Sequence, residues 1–230
     1  MKKLISLALA LNLYGAFPSW YYKVKGTKHQ KEAFVEIMLP LIQAENKKIT
    51  HLRKLIIDIF NDPYYLINPK KIAFLAKIAK IYKIKDITNK EEFLKKINII
   101  PPSLALAQAA IESGWGKSRF VREANNIFGH WTYSNKGLAP KSKYEHIDID
   151  YSIKIFPSLE ASIAAYMRNL NRNPAYKKFR DLRYEYTKNN KHFTGMDAAD
   201  TMINYSQKKE EYVKLLKNMI KSNNWQKYDK

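Results

Sequence analysis

The chain has 230 residues, 46% of them apolar, with 16 Tyr, 10 Phe and 4 Trp, enough material for one good-sized domain with a real core. Only 7 Gly and 9 Pro argue against a loop-rich sandwich or a disordered tail, and the absence of cysteine excludes disulfides, thiolate zinc sites and a lipid-modified Cys. A net charge of +20, from 41 Lys+Arg against 21 Asp+Glu, gathers polyanions by long-range attraction: nucleic acid, anionic lipid or a carboxylate-rich bacterial wall.

The first residues, "MKKLISLALALNLYGAFPSW", have the form of an export leader. Lys2 and Lys3 give the positive start, and Leu4 to Leu13 are apolar but too few to span a bilayer as a mature helix. Small residues near Ala16 offer a cleavage point, so residues 1–16 are expected to be a signal peptide. An exported protein rarely meets nucleic acid, and no nucleic-acid-reading motif is present. The expected partners are therefore anionic envelope polymers, for a monomer with no stable membrane span in a periplasmic or other envelope location.

Helical signals dominate the chain beyond the leader. Thr27-Lys28-His29-Gln30 reads as a capping box, followed by a stripe through Phe34, Ile37, Met38, Leu41 and Ile42, with Pro40 expected to kink the helix. The stripe resumes at Ile49, Leu52, Leu55, Ile56 and Ile59 and stops at Asn61-Asp62-Pro63. A helix is predicted over 69–82, and Thr88 to Glu91 reads as a second capping box before a short helix to Ile97. Residues 17–99 thus form an N-terminal helical region, expected as an annex.

Pro101-Pro102 opens another helix, because proline suits a first turn. From Leu104 to Ile111 the one polar side chain is Gln108 and half the residues are alanine, so this helix is apolar nearly all round and should be buried. Glu112 ends it, and Ser113-Gly114-Trp115-Gly116 breaks it. A short helix leads on to Ala124, and Asn125-Asn126 turns the chain.

One β pattern stands out: Ile147, Ile149, Tyr151, Ile153 and Ile155 alternate with Asp148, Asp150, Ser152 and Lys154. This predicts a half-buried strand, paired with a neighbour from "HWTYSNKGLAPKSKY". Pro157-Ser158 then caps a helix over 159–171, Asn173-Pro174 opens the next, Thr194-Gly195 marks a turn, and two more helices cover about 197–205 and 209–222. The predicted class is α+β, mostly helical: a helical body over 100–222 with a small β lobe, the N-terminal annex, and a basic tail over 223–230.

Glu112 carries the chemistry. Burial beside Ile111 and Trp115 disfavours its charged form, and so does the negative end of its helix dipole. The glycines after it leave room for a ligand, and a carboxyl of raised pKa facing a cleft is a proton donor. A structural reading, with Glu112 bonded to backbone or to Arg119, stands beside this one. Asp148 and Asp150 on the polar face of the strand, with Glu145 just before it, would put acids on both sides of a cleft, the arrangement of most glycosidases. Trp115, Trp131, Tyr133 and Tyr144 are candidates for stacking on sugar rings, though each also suits a core. His130, His146 and His192 lack ligand spacing, so no metal and no cofactor is expected.

The stretch "PPSLALAQAAIESGWGKSRFVREANNIFGHW" resembles the catalytic core of bacterial endo-β-N-acetylglucosaminidases that cut peptidoglycan (glycoside hydrolase family 73-like). The Bax-like branch is similar also in "LPLIQAENKKI", "GLAPK", "FPSLEASIAAYMRNLNRNPAYKKFRDLR" and "YSQKKEEYVKLLKNMI", so the resemblance covers roughly residues 30 to 221. It implies a lysozyme-like helical body with a cleft and a small β lobe. It implies that Glu112 is the acid protonating the glycosidic oxygen, that Asn125, Asn126 and Phe128 form the turn shaping the cleft, and that Tyr205 stands near the active site.

One position departs from the branch, which tends to carry His-Glu where this chain has Tyr151-Ser152. Glu145, Asp148 or Asp150 takes that role, or the substrate's own 2-acetamido group assists. The expected activity is hydrolysis of the β-1,4 bond after N-acetylglucosamine. The alternatives are a lytic transglycosylase on the same fold and a non-catalytic basic wall-binding protein.

Overall fold

The computed structural model describes residues 17–133, 137–139 and 151–230. The leader assigned to residues 1–16, and Tyr144, Glu145, His146, Asp148 and Asp150, lie outside the described residues. The mostly helical α+β class read from the sequence is the one observed. Helices α1 (Thr27–Asn61), α2 (Pro69–Tyr82) and α3 (Lys90–Lys96) precede α4 (Pro102–Ser113) and α5 (Arg119–Ala124). Two short strands, β1 (Trp131–Thr132) and β2 (Ser152–Ile153), come next. They are succeeded by α6 (Leu159–Arg172), α7 (Lys177–Lys188), α8 (Gly195–Ala199) and α9 (Lys209–Ser222).

Helix α4 is the axis of the body. Every residue from Pro101 to Ala110 is buried, and the helix packs against α1, α8, α9 and the final turn Trp225–Tyr228. Alanines at 105, 107, 109 and 110 let those neighbours come close on several sides at once. Helix α1 runs unbroken through Pro40 and lays Phe34, Met38, Ile42, Ile49 and Ile56 on one buried face, against α4 and α6. A single core extends from Phe17 to Trp225. The stripe on α1 supplies one wall of the core that α4 occupies, so the N-terminal region packs directly on the body.

Helix ends correct several sequence expectations. Gly26, at φ 85°, precedes α1 and makes no side-chain cap, so Thr27 is not the cap it resembles. Asn89, not Thr88, caps α3 by accepting from the Glu92 amide. The reciprocal capping box lies at Thr194 and Asp197, where the sequence pattern suggests only a turn. Ser158 and Asn68 cap α6 and α2 through their side chains.

The far end of α3 is held by arginines. Arg53 donates to the carbonyls of Leu94 and Ile97, and fully buried Arg183 donates to those of Lys95, Asn98 and Ile99. Positive charge there satisfies the carbonyls that a helix terminus leaves free.

The last eight residues, read from the sequence as a basic tail, place two side chains in the body. Trp225 is buried against Trp115, and buried Asp229 accepts from the amide and hydroxyl of Ser103 at 2.9 and 2.7 Å and from the Gly195 amide at 2.8 Å. One carboxylate thus ties the starts of α4 and α8 together.

The β ribbon is antiparallel, Trp131 opposite Ile153 and Thr132 opposite Ser152, with Leu138 bridged to Ile153. The partner does come from the segment expected. The predicted alternation, however, stops at Ile153: Ile155 is 50% exposed and Phe156 is buried instead. After Ile153 the chain bonds to the body, Lys154 N to His130 O and Phe156 N to Ala124 O, which rotates the next side chains out of strand register. Among the described residues no helix is long and apolar enough to cross a membrane.

Candidate active site

Glu112 lies in the last turn of α4, and the chain then passes through three left-handed residues: Gly114, Trp115 and Gly116, at φ 55°, 59° and 71°. Trp115 is the strained member, since a left-handed conformation costs a side-chain-bearing residue roughly 1–3 kcal/mol. Several bonds hold it there. Ser113 Oγ donates to the Ala109 carbonyl and accepts from the Gly116 amide at 2.7 Å, and the Tyr21 hydroxyl donates to the Trp115 carbonyl at 2.5 Å. A Cβ on Gly116 would stand 2.8 Å from the Phe17 ring, so only glycine fits. The segment just before α1 therefore fixes the turn that ends the Glu112 helix.

The Glu112 carboxyl faces tyrosines rather than cations. Tyr212, on α9, donates its hydroxyl to Glu112 Oε1 at 2.9 Å. Gln108, one helical turn before Glu112, donates Nε2 to the Tyr212 oxygen at 3.1 Å and accepts from the Tyr166 hydroxyl at 2.5 Å. Tyr205 lies parallel to Tyr212 with centroids 5.5 Å apart, and Tyr176 lies 6.0 Å from Tyr205. Among the described residues no salt bridge reaches Glu112. Arg119 pairs with Glu123 and the Ala139 carbonyl.

Burial accordingly raises the Glu112 pKa above the ordinary glutamate value, and the Tyr212 bond offsets part of that rise. The phenols respond in the same sense. Tyr166, Tyr176, Tyr205 and Tyr212 are all pushed up, first by burial and further by the neighbouring carboxyl. The group can keep a proton to higher pH than a solvated glutamate, and the phenols around it stay neutral.

Several of the other residues singled out from the sequence have structural partners: Asn125 Nδ2 donates to the Phe156 carbonyl at 2.9 Å, and the Trp131 ring packs edge-on against Tyr151. The Trp115 ring packs edge-on against Phe34 and Trp225 and carries Lys31 over its face. Phe128 is buried, stacked on Tyr166 at 3.8 Å. Asn126 is 1% exposed and, among the described residues, its side chain bonds to backbone: Nδ2 to the His130 and Lys154 carbonyls, Oδ1 from the His130 amide. These side chains join the ribbon and the turn to the body, because the turn geometry leaves backbone groups that need partners inside the protein.

Trp131 and Tyr133 remain open to solvent, at 53% and 84% exposed. Tyr205 meets Glu112 by way of the Tyr212 ring. His130 is held down to about 4 by burial, with Lys154 adding to the effect, and so is neutral at physiological pH. Gln108, Tyr166, Tyr176 and Tyr212 surround the Glu112 carboxyl and so join the candidate site, although the sequence does not mark them as functional. Gln108 offers one signal, as a lone amide in an apolar run one turn from the acid. The tyrosines resemble ordinary core residues of amphipathic helices.

Residues 88–225 match the glucosaminidase family, described as mannosyl-glycoprotein endo-beta-N-acetylglucosaminidase. Protein bax of Escherichia coli strain K12 is 32% identical over 199 residues, which span 84% of this chain and 70% of that protein. The peptidoglycan hydrolase FlgJ of Salmonella typhimurium is 34% identical over 88 residues, 34% of this chain and 28% of that one. Among solved structures, the catalytic domain of the autolysin Auto from Listeria monocytogenes is 24% identical, with a TM-score of 0.43 over 68% of this chain and 85% of that chain. The chain belongs to the glucosaminidase family, on the Bax-like side of it.

Proposed function

We propose that this protein is an exported peptidoglycan hydrolase that cleaves the β-1,4 bond after N-acetylglucosamine, with Glu112 as general acid. The observation that carries the reading is the Glu112 carboxyl itself: at a helix end, without a salt-bridge partner among the described residues, raised by burial and oriented by Tyr212. The peptidoglycan hydrolase FlgJ supports the polymer, as does the charge of +20 against a carboxylate-rich wall, and the leader pattern supports the compartment.

In the proposed step Glu112 passes its proton to the bridging oxygen as the C1–O bond breaks, and the leaving sugar departs as an alcohol. Water supplies the new bond at C1. If Asp148, Asp150 or Glu145 is the base, it takes the water's proton, which returns to Glu112 through solvent, and the anomer is inverted. If the 2-acetamido oxygen attacks first, water then opens the cyclic intermediate, its proton goes to the Glu112 carboxylate, and the anomer is retained. Exposed Trp131 and Tyr133 would stack on sugar rings.

Mass spectrometry of products released from purified peptidoglycan tests the reading, with anomeric analysis of wild type and the Asp148→Asn, Asp150→Asn and Glu145→Gln variants. Reducing N-acetylglucosamine ends are expected, with inversion and one inactive variant. Ends in 1,6-anhydromuramic acid would make the enzyme a lytic transglycosylase, and binding without any release would make it a wall-binding protein. Three active variants with retention would transfer the second role to the acetamido group.

A further inference from the structure

The hydrogen bonds behind Glu112 have a direction, and one residue that makes no hydrogen bond to the carboxyl sets it. Tyr166 is fully buried, with Phe128 stacked on its ring and its hydroxyl bonded to Gln108 Oε1; among the described residues that hydroxyl has no second partner. An amide whose oxygen accepts from Tyr166 must present its NH₂ to Tyr212. The Tyr212 oxygen, receiving that N–H, then points its own proton at Glu112 Oε1.

The opposite polarity begins with a neutral Glu112 donating to Tyr212. Tyr212 would donate to a reversed Gln108, and Gln108 would donate to Tyr166. The Tyr166 proton would then be buried without an acceptor, a costly arrangement. The geometry points to a one-way relay, Tyr166 to Gln108 to Tyr212 to Glu112, that bars Glu112 from giving its proton to Tyr212 and so keeps it on Oε2. Tyr166 and Gln108 are thereby positioning residues for the acid.

The inference rests on the proposed role of Glu112 for its consequence in catalysis, but not for its physical content. The groups facing Glu112 are Tyr166 on α6, Tyr176 before α7, Tyr205 before α9 and Tyr212 on α9. All four stay neutral through a glutamate titration, so a change in the Glu112 midpoint reports on hydrogen bonding rather than on a neighbour's charge.

The test is a ¹³C NMR titration of the Glu112 carboxyl in the full chain, its signal assigned as the one missing from Glu112→Gln. Tyr166→Phe keeps the ring stacked on Phe128 and removes the constraint. Neutral Glu112 can then donate to Tyr212, and its midpoint should rise. Combining Tyr166→Phe with Gln108→Met removes the alternative acceptor, so Tyr212 must donate to Glu112 again and the midpoint should move back toward wild type. Gln108→Met alone should leave the midpoint close to wild type, which keeps the test open if Tyr166→Phe fails to fold.

With glycan substrate, kcat should fall in Tyr166→Phe and partly recover in the double variant, while KM stays constant. An unchanged midpoint in Tyr166→Phe, a large rise in Gln108→Met, or a double variant further from wild type than the single would overturn the relay. Because the titration needs no substrate, a wild-type protein that cleaves no glycan would count against the proposed function alone.

Discussion

The phenolic hydroxyl of Tyr212 donates to Oε1 of Glu112 across 2.9 Å, although 100 positions separate the two residues. Burial and this bond act on the carboxyl in opposite senses. Burial is the larger, and the net result is a raised pKa. Such a group stays protonated to higher pH than an exposed glutamate, yet keeps a partner once the proton has left. A general acid requires both properties.

Glu112→Gln should retain the fold and lose turnover by about 10²-fold or more, measured by release of reducing ends. Its stability should change in a pH-dependent way. The folded pKa of Glu112 lies above the unfolded one, so its contribution is fully present below the unfolded pKa and is lost as pH rises through the folded value. Thermal unfolding should therefore find the variant level with wild type in acid and more stable at neutral pH. Near-normal turnover would remove Glu112 from the proposed role.

Tyr212→Phe deletes the hydrogen bond that lowers the Glu112 pKa. The alkaline limb of the kcat profile, where the acid loses its proton, should move to higher pH, and kcat at its optimum should fall because the carboxyl is no longer oriented. A limb that stays in place would show that another group titrates there.

Asp229→Ala leaves the Ser103 amide, the Ser103 hydroxyl and the Gly195 amide without their shared acceptor in a buried site. The expected loss is on the order of 3 kcal/mol in denaturant unfolding, since each buried donor deprived of its partner costs about 1–3 kcal/mol. A loss within about 0.5 kcal/mol would mean that the end of the chain is dispensable to the body.

Trp131→Ala together with Tyr133→Ala removes two exposed rings of the ribbon. Stability should hardly change, while KM for glycan rises more than kcat falls, because stacking contributes to binding in ground and transition states alike. Unaltered KM would remove the ribbon from the substrate path.

Binding to isolated wall should weaken as salt rises, because exposed charges more than about 8 Å apart are largely screened at physiological ionic strength. Sedimentation of protein with wall fragments across a salt series measures this. Binding indifferent to salt would exclude the +20 surface as the anchor.

The helices are legible in the sequence because each signal is local. Pro69, Pro102 and Ser158 mark helix starts in sequence much as they do in space, and the apolar run from Leu104 to Ile111 announces a buried helix without reference to any neighbour. Cap identity is less legible at Thr27 and Thr88. Asn89, with Glu92 three residues on, satisfies the same spacing as Thr88, while at Thr27 the helix is preceded by Gly26 at positive φ, a backbone feature that the capping pattern does not record. The strand reads too long because alternation records side-chain polarity, while its end is set by bonds from Lys154 and Phe156 to distant parts of the chain.

By itself the sequence determined the helical class, the family resemblance and the position of the Glu112 carboxyl, because a carboxylate closing a buried helix before a glycine turn is a local conflict visible in a few residues. Only the tertiary structure decided what surrounds that acid. Tyr166, Tyr205 and Tyr212 come from three later segments, and their hydroxyl directions depend on which buried groups they meet. The same holds for Trp225 and Asp229, which lie in the segment read from the sequence as a basic tail and which packing places against α4. A hydrogen bond between residues far apart in sequence leaves no periodic trace, since its geometry exists only once the helices have docked.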